Sequence, residues 1–168
     1  LNYVTKDTNP NLPNNAGLFL NIFNIEQAII DIENIKSKVN HVIIILHWGG
    51  LVEGGLYPDW NQPKTARKLI DAGADIIIGH HSHTIQPFEV YKGKYIFYSL
   101  GNFCFSDFTF ENKKYINTKR KKNIILPKII FKKNNYDLEV AYYYNKGDKI
   151  ISNPIYKYNM LIRNLFFN

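Results

Sequence analysis

The spacing of apolar residues changes several times along the first half of the chain, and each spacing predicts one element. A loosely alternating run over 18–25 predicts a strand, and isoleucines at helical spacing predict an amphipathic helix over about 26–38. A continuous β-branched run then predicts a strand that is buried on both faces and ends at His47. After a loop rich in Gly and Pro over 49–63, a helix of about ten residues is expected to end at Gly73.

The next apolar runs predict a second buried strand and two antiparallel pairs. Residues 75–79 follow the second helix, and the β-α-β order makes them a parallel neighbour of the strand that ends at His47. The segment 88–100 is typical of a hairpin, and the runs 124–132 and 138–144 flank a turn signal and predict an antiparallel pair. The chain is therefore expected to have a mixed α/β fold.

Composition places the chain among globular proteins, and its charge is unevenly distributed. The 45% hydrophobic and 21% charged content excludes wholesale disorder and repetitive scaffolds. Residues 111–168 contain thirteen Lys or Arg against four Asp or Glu, a balance of +9 in a chain of formal charge +7. This basic, β-rich tail can attract an anionic polymer or a membrane surface, or it can be a solvated Lys-rich surface. The polar stretch 106–122 at its start is expected to be a loop.

Four of the five histidines fall where the two buried strands end. His47 follows the first strand, and His80, His81 and His83 follow the second. Carboxyl ends of parallel neighbours share one edge of a sheet, so these side chains are expected to meet there. In a strand-like segment residues two apart point the same way, so His81 and His83 can present imidazoles to one Zn, Mn or Fe ion together with His47. His41 precedes its strand and is expected on the surface, away from the others.

These histidines alone would make an incomplete hydrolytic site. Dinuclear sites also use a bridging carboxylate, further oxygen ligands and a general acid. The nearest acids in sequence are Glu53, Asp59 and Asp75. None is expected to bind the metal directly, because Asp75 begins its strand at the wrong end and the other two lie in a Gly-rich loop of unknown direction.

Six short motifs follow one another across the middle of the chain: HWG, PDWNQ, LIDAGAD, GHHSH, E-x-Y-x-G-K and YSLGNF. In this combination the chain resembles the C-terminal half of the CapA family, the bacterial poly-γ-glutamate capsule synthesis proteins, which belong to the calcineurin-like metallophosphoesterase superfamily. The close similarity spans about 41–108, and the similarity on either side is weaker.

The resemblance implies a fold, a cofactor and a set of ligands. The fold is a four-layer α/β sandwich, two β-sheets flanked by helices, with a dinuclear site for divalent Mn, Fe or Zn along one edge. By motif, His47, His81 and His83 match metal ligands. His80 is assigned a catalytic, substrate-facing role, with a supporting or core position as the alternative.

The family's first three signatures, which supply a bridging carboxylate, an Asn ligand and a general acid, have no match in this chain. Residues 1–168 are therefore expected to be the C-terminal part of one metallophosphoesterase-like domain, carrying about half of its site. Such a chain is expected to bind metal weakly and to be inactive alone.

Of five further residues, three have two interpretations each, and two have a single structural one. Asn102 can orient a metal-bound His or a substrate oxygen, or it can be ordinary turn chemistry. Trp48 and Trp60 can line a pocket for an extended substrate or belong to the core. Glu89 is expected to pair with the backbone or a Lys, and Cys104 is expected to be a buried small apolar residue.

The resemblance implies a metal-dependent hydrolase-like protein of capsule, poly-γ-glutamate or cell-envelope polymer metabolism. The alternative is a non-catalytic component that binds an anionic polymer during synthesis or export. Expected partners are poly-γ-glutamate or a phosphoester substrate and membrane-bound capsule synthesis machinery at the cell envelope. Nucleic acid is not expected, because no nucleic-acid-binding motif occurs. An amidohydrolase-type barrel is disfavoured because no His follows His83.

Overall fold

The computed structural model describes residues 1–8, 21–51, 53–147 and 149–153. Within these ranges two α-helices occur, α1 (Ile25–Ile35) and α2 (Gln62–Ala72), and one 3₁₀ turn at Lys6–Thr8. The strands are β1 (Asn2–Val4), β2 (Ile43–His47), β3 (Ile76–His80), β4 (Phe88–Tyr91), β5 (Lys94–Phe97), β6 (Phe108–Phe110), β7 (Lys113–Tyr115), β8 (Asn123–Phe131), β9 (Tyr136–Asn145) and β10 (Ile150–Ser152).

A five-stranded sheet in the order β1-β2-β3-β5-β4 forms the centre of the fold. Strands β1, β2, β3 and β5 are parallel, and β4 closes one side as the antiparallel partner of β5. The predicted parallel pairing of β2 with β3 is confirmed, as is the β4–β5 hairpin. The register pairs His47 with His80, so both strands end at the same edge.

Both helices pack on one face of this sheet and close the larger core. The side chain of Asn24 caps α1 by accepting a hydrogen bond from the Gln27 N–H at 2.8 Å, and Gly73 ends α2 with a φ of +120°. Helix α1 buries Ile32 and α2 buries Leu69 against Ile44 of β2, and all three are fully buried. Each such side chain stabilises the fold by roughly 1.5–3 kcal/mol.

A second sheet, in the order β10-β9-β8, packs on the other face of the central sheet. Its Ile125 and Tyr142 join Ile85 and Phe97 in a smaller core. The predicted antiparallel pair is confirmed as β8–β9. The described residues thus form helix, sheet and sheet layers, a mixed α/β arrangement that agrees with the predicted class. The further helical layer of a four-layer sandwich stays a prediction.

The predicted strand at 18–25 is wrong over the part that the structure describes. Ile22 makes one isolated parallel bridge to Val4, and Asn24 already caps α1. The alternation ends there because the chain must enter the helix at Ile25. Residues 18–20 lie outside the described ranges.

The predicted loop at 106–122 contains a hairpin instead. Strands β6 and β7 pair with each other, and the turn residues Glu111 and Asn112 have φ values of +48° and +59°. Two consecutive residues with positive φ are typical of the type I′ turn that joins tight hairpins. The rings of Phe108 and Tyr115 stack across the two strands at 4.8 Å. Polar residues around this pair concealed the strand pattern.

Two further expectations about single residues are wrong. Glu89 is buried, and it binds the guanidinium of Arg67 and the hydroxyl of Tyr98, each at 2.7 Å, rather than a Lys or the backbone. Cys104 is exposed rather than buried, since the chain between β5 and β6 runs over the surface there. No helix within the described ranges is long and apolar enough to cross a membrane.

Candidate functional site

The ends of β2 and β3 bring histidines to one edge of the central sheet, as predicted. His47 and His80 are register partners, and their rings meet edge to face with centroids 5.4 Å apart. His41 lies at the other end of β2. It is half-buried, with its Nε2 2.6 Å from the Lys132 carbonyl oxygen and its ring against Phe131, so it takes no part in the cluster.

His47 and His81 form the closest contact of the cluster. The Nε2 of His47 and the Nδ1 of His81 lie 3.0 Å apart. His81 has a φ of +122°, a conformation that non-glycine residues adopt only when their surroundings compensate for the strain. This backbone turn directs the imidazole of His81 toward His47 instead of continuing the strand.

His83 does not share the orientation of His81. The extended geometry that would align them is lost, because β3 ends at His80 and both His81 and His83 have positive φ values. Their ring centroids lie 6.3 Å apart. The expectation that all three imidazoles converge on one ion is therefore not met, although His47 and His81 do meet.

Asn102 holds His83. The Nδ1–H of His83 donates to Oδ1 of Asn102 at 2.7 Å, which leaves Nε2 of His83 as the nitrogen with a free lone pair. Gly101, at a φ of +75°, turns the chain here and forms a bridge with Ile124. Asn102 is 9% exposed, and its Nδ2 has no hydrogen-bond partner among the described residues. The interpretation in which Asn102 orients a histidine has direct geometric support.

Burial and mutual repulsion favour the neutral forms of His47, His80 and His81. Burial, followed by the neighbouring His81, His80 and His83, lowers the pKa of His47 to about 4. Burial is also the main cause that lowers the pKa of His80 and of His81, each with an adjacent His as the second cause. Neutral imidazole is the form in which a histidine nitrogen can bind a metal ion.

Acidic side chains surround the cluster without joining it. Asp7 acts electrostatically on both His47 and His81, and its carboxylate accepts a hydrogen bond from the Gly50 N–H at 3.1 Å. The sequence did not indicate Asp7, because β1, which carries it to this edge, is only three residues long. Glu53 is paired with Lys121, and Asp59 accepts from the Leu51 N–H at 3.3 Å.

Asp75 is far from the cluster, as expected. It lies at the start of β3, where it accepts from the Val42 N–H at 2.8 Å and pairs with Lys94. It therefore fixes the opposite end of the sheet and takes no part in the site.

Trp48 and Trp60 do not line a substrate pocket together. The indole of Trp48 is 3% exposed, and its Nε1–H donates to the Tyr98 carbonyl oxygen at 3.0 Å. Trp48 therefore lies in the core cluster, in agreement with its core interpretation. Trp60 is 86% exposed.

The donor set fits a metal ion only in part. Two nitrogens bound to one ion at about 2.0–2.1 Å, with ligand angles of about 90–110°, lie about 2.8–3.4 Å apart. The separation between His47 and His81 is within that range. Nowhere in the described ranges do three or more His, Cys, Asp or Glu side chains converge as a complete ligand group. Further ligands would be needed to complete the coordination.

Together these features define a mixed α/β protein with a cluster of histidines at the carboxyl edge of a parallel sheet. The bacterial capsule synthesis protein family PGA_cap has a family model that matches residues 3–107, which include this whole cluster. The chain belongs to that family.

The names of curated relatives refer to the synthesis of PGA, of a capsule or of polyglutamine. The PGA biosynthesis protein CapA of Bacillus subtilis is 47% identical over 74 residues, which are 44% of this chain and 19% of that protein. The capsule biosynthesis protein CapA of Bacillus anthracis is 47% identical over 70 residues, 42% of this chain and 16% of that protein. A probable polyglutamine synthesis accessory protein of Mycobacterium tuberculosis is 40% identical over 67 residues, 40% of this chain and 17% of that protein. The chain thus matches less than a fifth of the length of each relative.

Proposed function

We propose that this chain contributes the histidine half of a divalent-metal site to a hydrolase-like protein of capsule or polyglutamate metabolism at the cell envelope. The observation that carries the proposal is the contact of His47 with His81 at 3.0 Å on the carboxyl edge of the sheet. The fold implied for the whole protein is the metallophosphoesterase sandwich. The names of the relatives support the polymer as the biological context.

Each residue of the cluster has a distinct task in this proposal. His47 and His81 would hold one ion of Mn, Fe or Zn, and His83 would present Nε2 toward a second position. Asn102 fixes the ring of His83 and its tautomer, a role that outer hydrogen-bonding partners commonly have at metal sites. When bound, such ions polarise a phosphoryl or acyl oxygen and lower the pKa of bound water.

His80 is the candidate for proton transfer to or from a substrate. Its ring lies against His47 at the edge of the sheet, and burial keeps it neutral at neutral pH. A neutral imidazole can accept a proton from one group and return it to another. Exclusion of water by the half-buried position of His80 would favour that exchange.

A second function, binding of an anionic polymer without catalysis, is favoured by the charge distribution. Residues 111–168 carry a balance of +9, and the described part of this segment is rich in exposed Lys. Salt distinguishes the two functions: polymer binding that survives loss of the histidines and weakens with added salt supports the binding function, and metal-dependent turnover supports the enzyme.

Metal titration tests the proposed ligands. Calorimetry with Mn²⁺ and Zn²⁺ on the 168-residue chain should give weak binding, and His47→Ala or His81→Ala should reduce affinity at least about tenfold. Asn102→Ala should cost roughly tenfold through loss of ring orientation. His41→Ala is the matched control, because His41 lies at the other end of the same strand, and its affinity should equal that of the wild type.

Two outcomes would contradict the proposal. Equal affinity of the His47→Ala and His41→Ala variants would show that the cluster is not the metal site. Tight binding of two ions by the wild-type chain would show that the site is not incomplete.

A further inference from the structure

A cavity of about 270 Å³ lies beside His83. Its lining combines an imidazole, an ion pair and an apolar wall. The lining residues are Glu53, His83, Phe105, Phe108, Tyr115, Ile116, Asn117 and Lys121. The cavity therefore lies between His83 and the β6–β7 hairpin, which is not part of the proposed metal site.

The apolar wall starts at the histidine and continues along the hairpin. The ring of Phe105 lies 5.4 Å from that of His83 and 6.1 Å from that of Phe108, and Phe108 stacks on Tyr115. All three of these aromatic side chains are exposed. A contiguous exposed apolar surface next to a polar site indicates a ligand with apolar segments.

An ion pair also lines this cavity. The Nζ of Lys121 is 2.7 Å from Oε1 of Glu53, and the Glu53 side chain is 56% exposed. The hydrogen bond from Lys121 lowers the pKa of Glu53, so Glu53 is ionised at neutral pH and its carboxylate pairs with the Lys121 ammonium. The Lys121 side chain is 25% exposed, and ion pairs in contact with solvent contribute modestly to stability, so a carboxylate from a ligand can replace Glu53 at small cost.

A second cavity, of about 480 Å³, shares Glu53 and Lys121 with the first. It adds the cationic side chains of Lys119 and Arg120, both exposed. Positive charges thus continue from the cavity beside His83 along the loop that precedes β8. This arrangement is complementary to a chain that carries several negative charges.

We propose that these two cavities form a binding subsite for a polyamide chain that bears carboxylates. Its methylene groups would contact the wall formed by Phe105, Phe108 and Tyr115, and its carboxylates would bind Lys121 and then the loop cations. When no polymer is bound, Lys121 is paired with Glu53. The assignment rests on the proposed function, because it supplies the substrate for the histidine site. Polyphosphate would satisfy the cations but has no methylene groups for the wall.

Fluorescence anisotropy with a fluorescein-labelled glutamate decamer and the 168-residue chain at low salt tests the subsite. Lys121→Ala should weaken binding about tenfold, the size of effect expected when a charged contact is removed. Lys128→Ala is the matched control, because Lys128 also pairs with a Glu and its loss removes the same charge. Lys128 lies about 20 Å from Lys121 along the chain, outside the proposed subsite. This variant should change the affinity less than about twofold. Phe108→Ala should weaken binding several-fold.

Glu53→Gln provides a test that misfolding cannot imitate. Release of Lys121 from its internal partner should strengthen decamer binding about three- to tenfold, a gain that a damaged protein would not show. An unlabelled polyphosphate of equal charge should displace the decamer less well than unlabelled polyglutamate.

Three results would overturn the subsite: equal losses in Lys121→Ala and Lys128→Ala, weaker binding by Glu53→Gln, or equal displacement by polyphosphate. The anisotropy measurement uses no added metal ion, and the metal titration uses no polymer. Failure of the subsite is therefore seen in anisotropy, and failure of the proposed function is seen in the metal titration.

Discussion

Gly79 shows how a single residue sets the position of the candidate site. A Cβ atom at this position would lie 2.1 Å from the Tyr98 carbonyl oxygen and 2.3 Å from Nε1 of Trp48. Those two atoms form a buried hydrogen bond behind β3. Only glycine lets β3 pass this close to the hydrogen bond. This close packing sets the position from which His80 and His81 follow the strand.

Glu89 should be the most costly to remove of the acids that form ion pairs within the described ranges. Its carboxylate is buried and binds both Arg67 and Tyr98. We expect Glu89→Ala to reduce the free energy of unfolding by about 3 kcal/mol, because it leaves the buried Tyr98 hydroxyl without that acceptor and the guanidinium without its counterion. Urea denaturation monitored by circular dichroism measures this change.

Asp71 offers the control for Glu89. It pairs with Lys92, and both side chains are exposed. Asp71→Ala should cost less than about 1 kcal/mol, since exposed ion pairs contribute little. Equal losses for the two variants would show that burial does not decide the energy of these pairs.

At the scale of elements, the β6–β7 hairpin differs from the rest of the fold. All six of its strand residues are exposed, and its two strands pair only with each other. An isolated two-stranded hairpin is marginally stable in water. Its apolar contacts run through Phe105 to the ring of His83.

Hydrogen exchange should separate this hairpin from the central sheet. Amides of Phe108–Phe110 and Lys113–Tyr115 should exchange at least about a hundredfold faster than those of β2 and β3, because exposed local pairs open without global unfolding. Mass spectrometry of peptic fragments measures the difference. Protection of the hairpin equal to that of β2 would contradict the expectation, and the β4–β5 hairpin, whose Ile96 and Phe97 are buried, is the internal control.

The elements that the sequence predicted well are those with strong periodicity. Continuous apolar runs and helical spacing located β2, β3, α1 and α2, and with them the positions of His47 and His80. The relation of His81 to His83 could not be predicted, because it depends on positive φ values that hydrophobic patterns do not encode. The β6–β7 hairpin was missed because its turn uses Glu-Asn instead of the Asn-Gly or Asp-Gly that indicate such turns.

At the scale of the whole molecule, β5 connects the two cores. Ile96 belongs to the core under the helices, and the adjacent Phe97 belongs to the core between the sheets. Successive side chains of one strand point to opposite faces, so a single strand stabilises both layers. The two cores should therefore not unfold independently.

Phe97→Ala tests this coupling. We expect a loss of about 3–5 kcal/mol in the free energy of unfolding, the usual cost of removing a buried Phe, in one cooperative transition. In a Trp60→Phe background, fluorescence of Trp48 reports the helix-side core, and far-UV circular dichroism reports all strands. The two curves should coincide, and separate transitions would disprove the coupling. Phe110→Ala, at an exposed position, should have little effect.

The bridge between Gly101 and Ile124 has one more consequence. Asn102, which follows Gly101 in the chain, is hydrogen-bonded to His83. Ile124 lies in β8, which begins two residues after Lys121. A ligand that moves the Lys121 loop thus acts on the same backbone junction that orients the imidazole. If the proposed metal and polymer both bind, thermodynamic linkage makes such an effect reciprocal: the factor by which the polymer changes metal affinity equals the factor by which the metal changes polymer affinity.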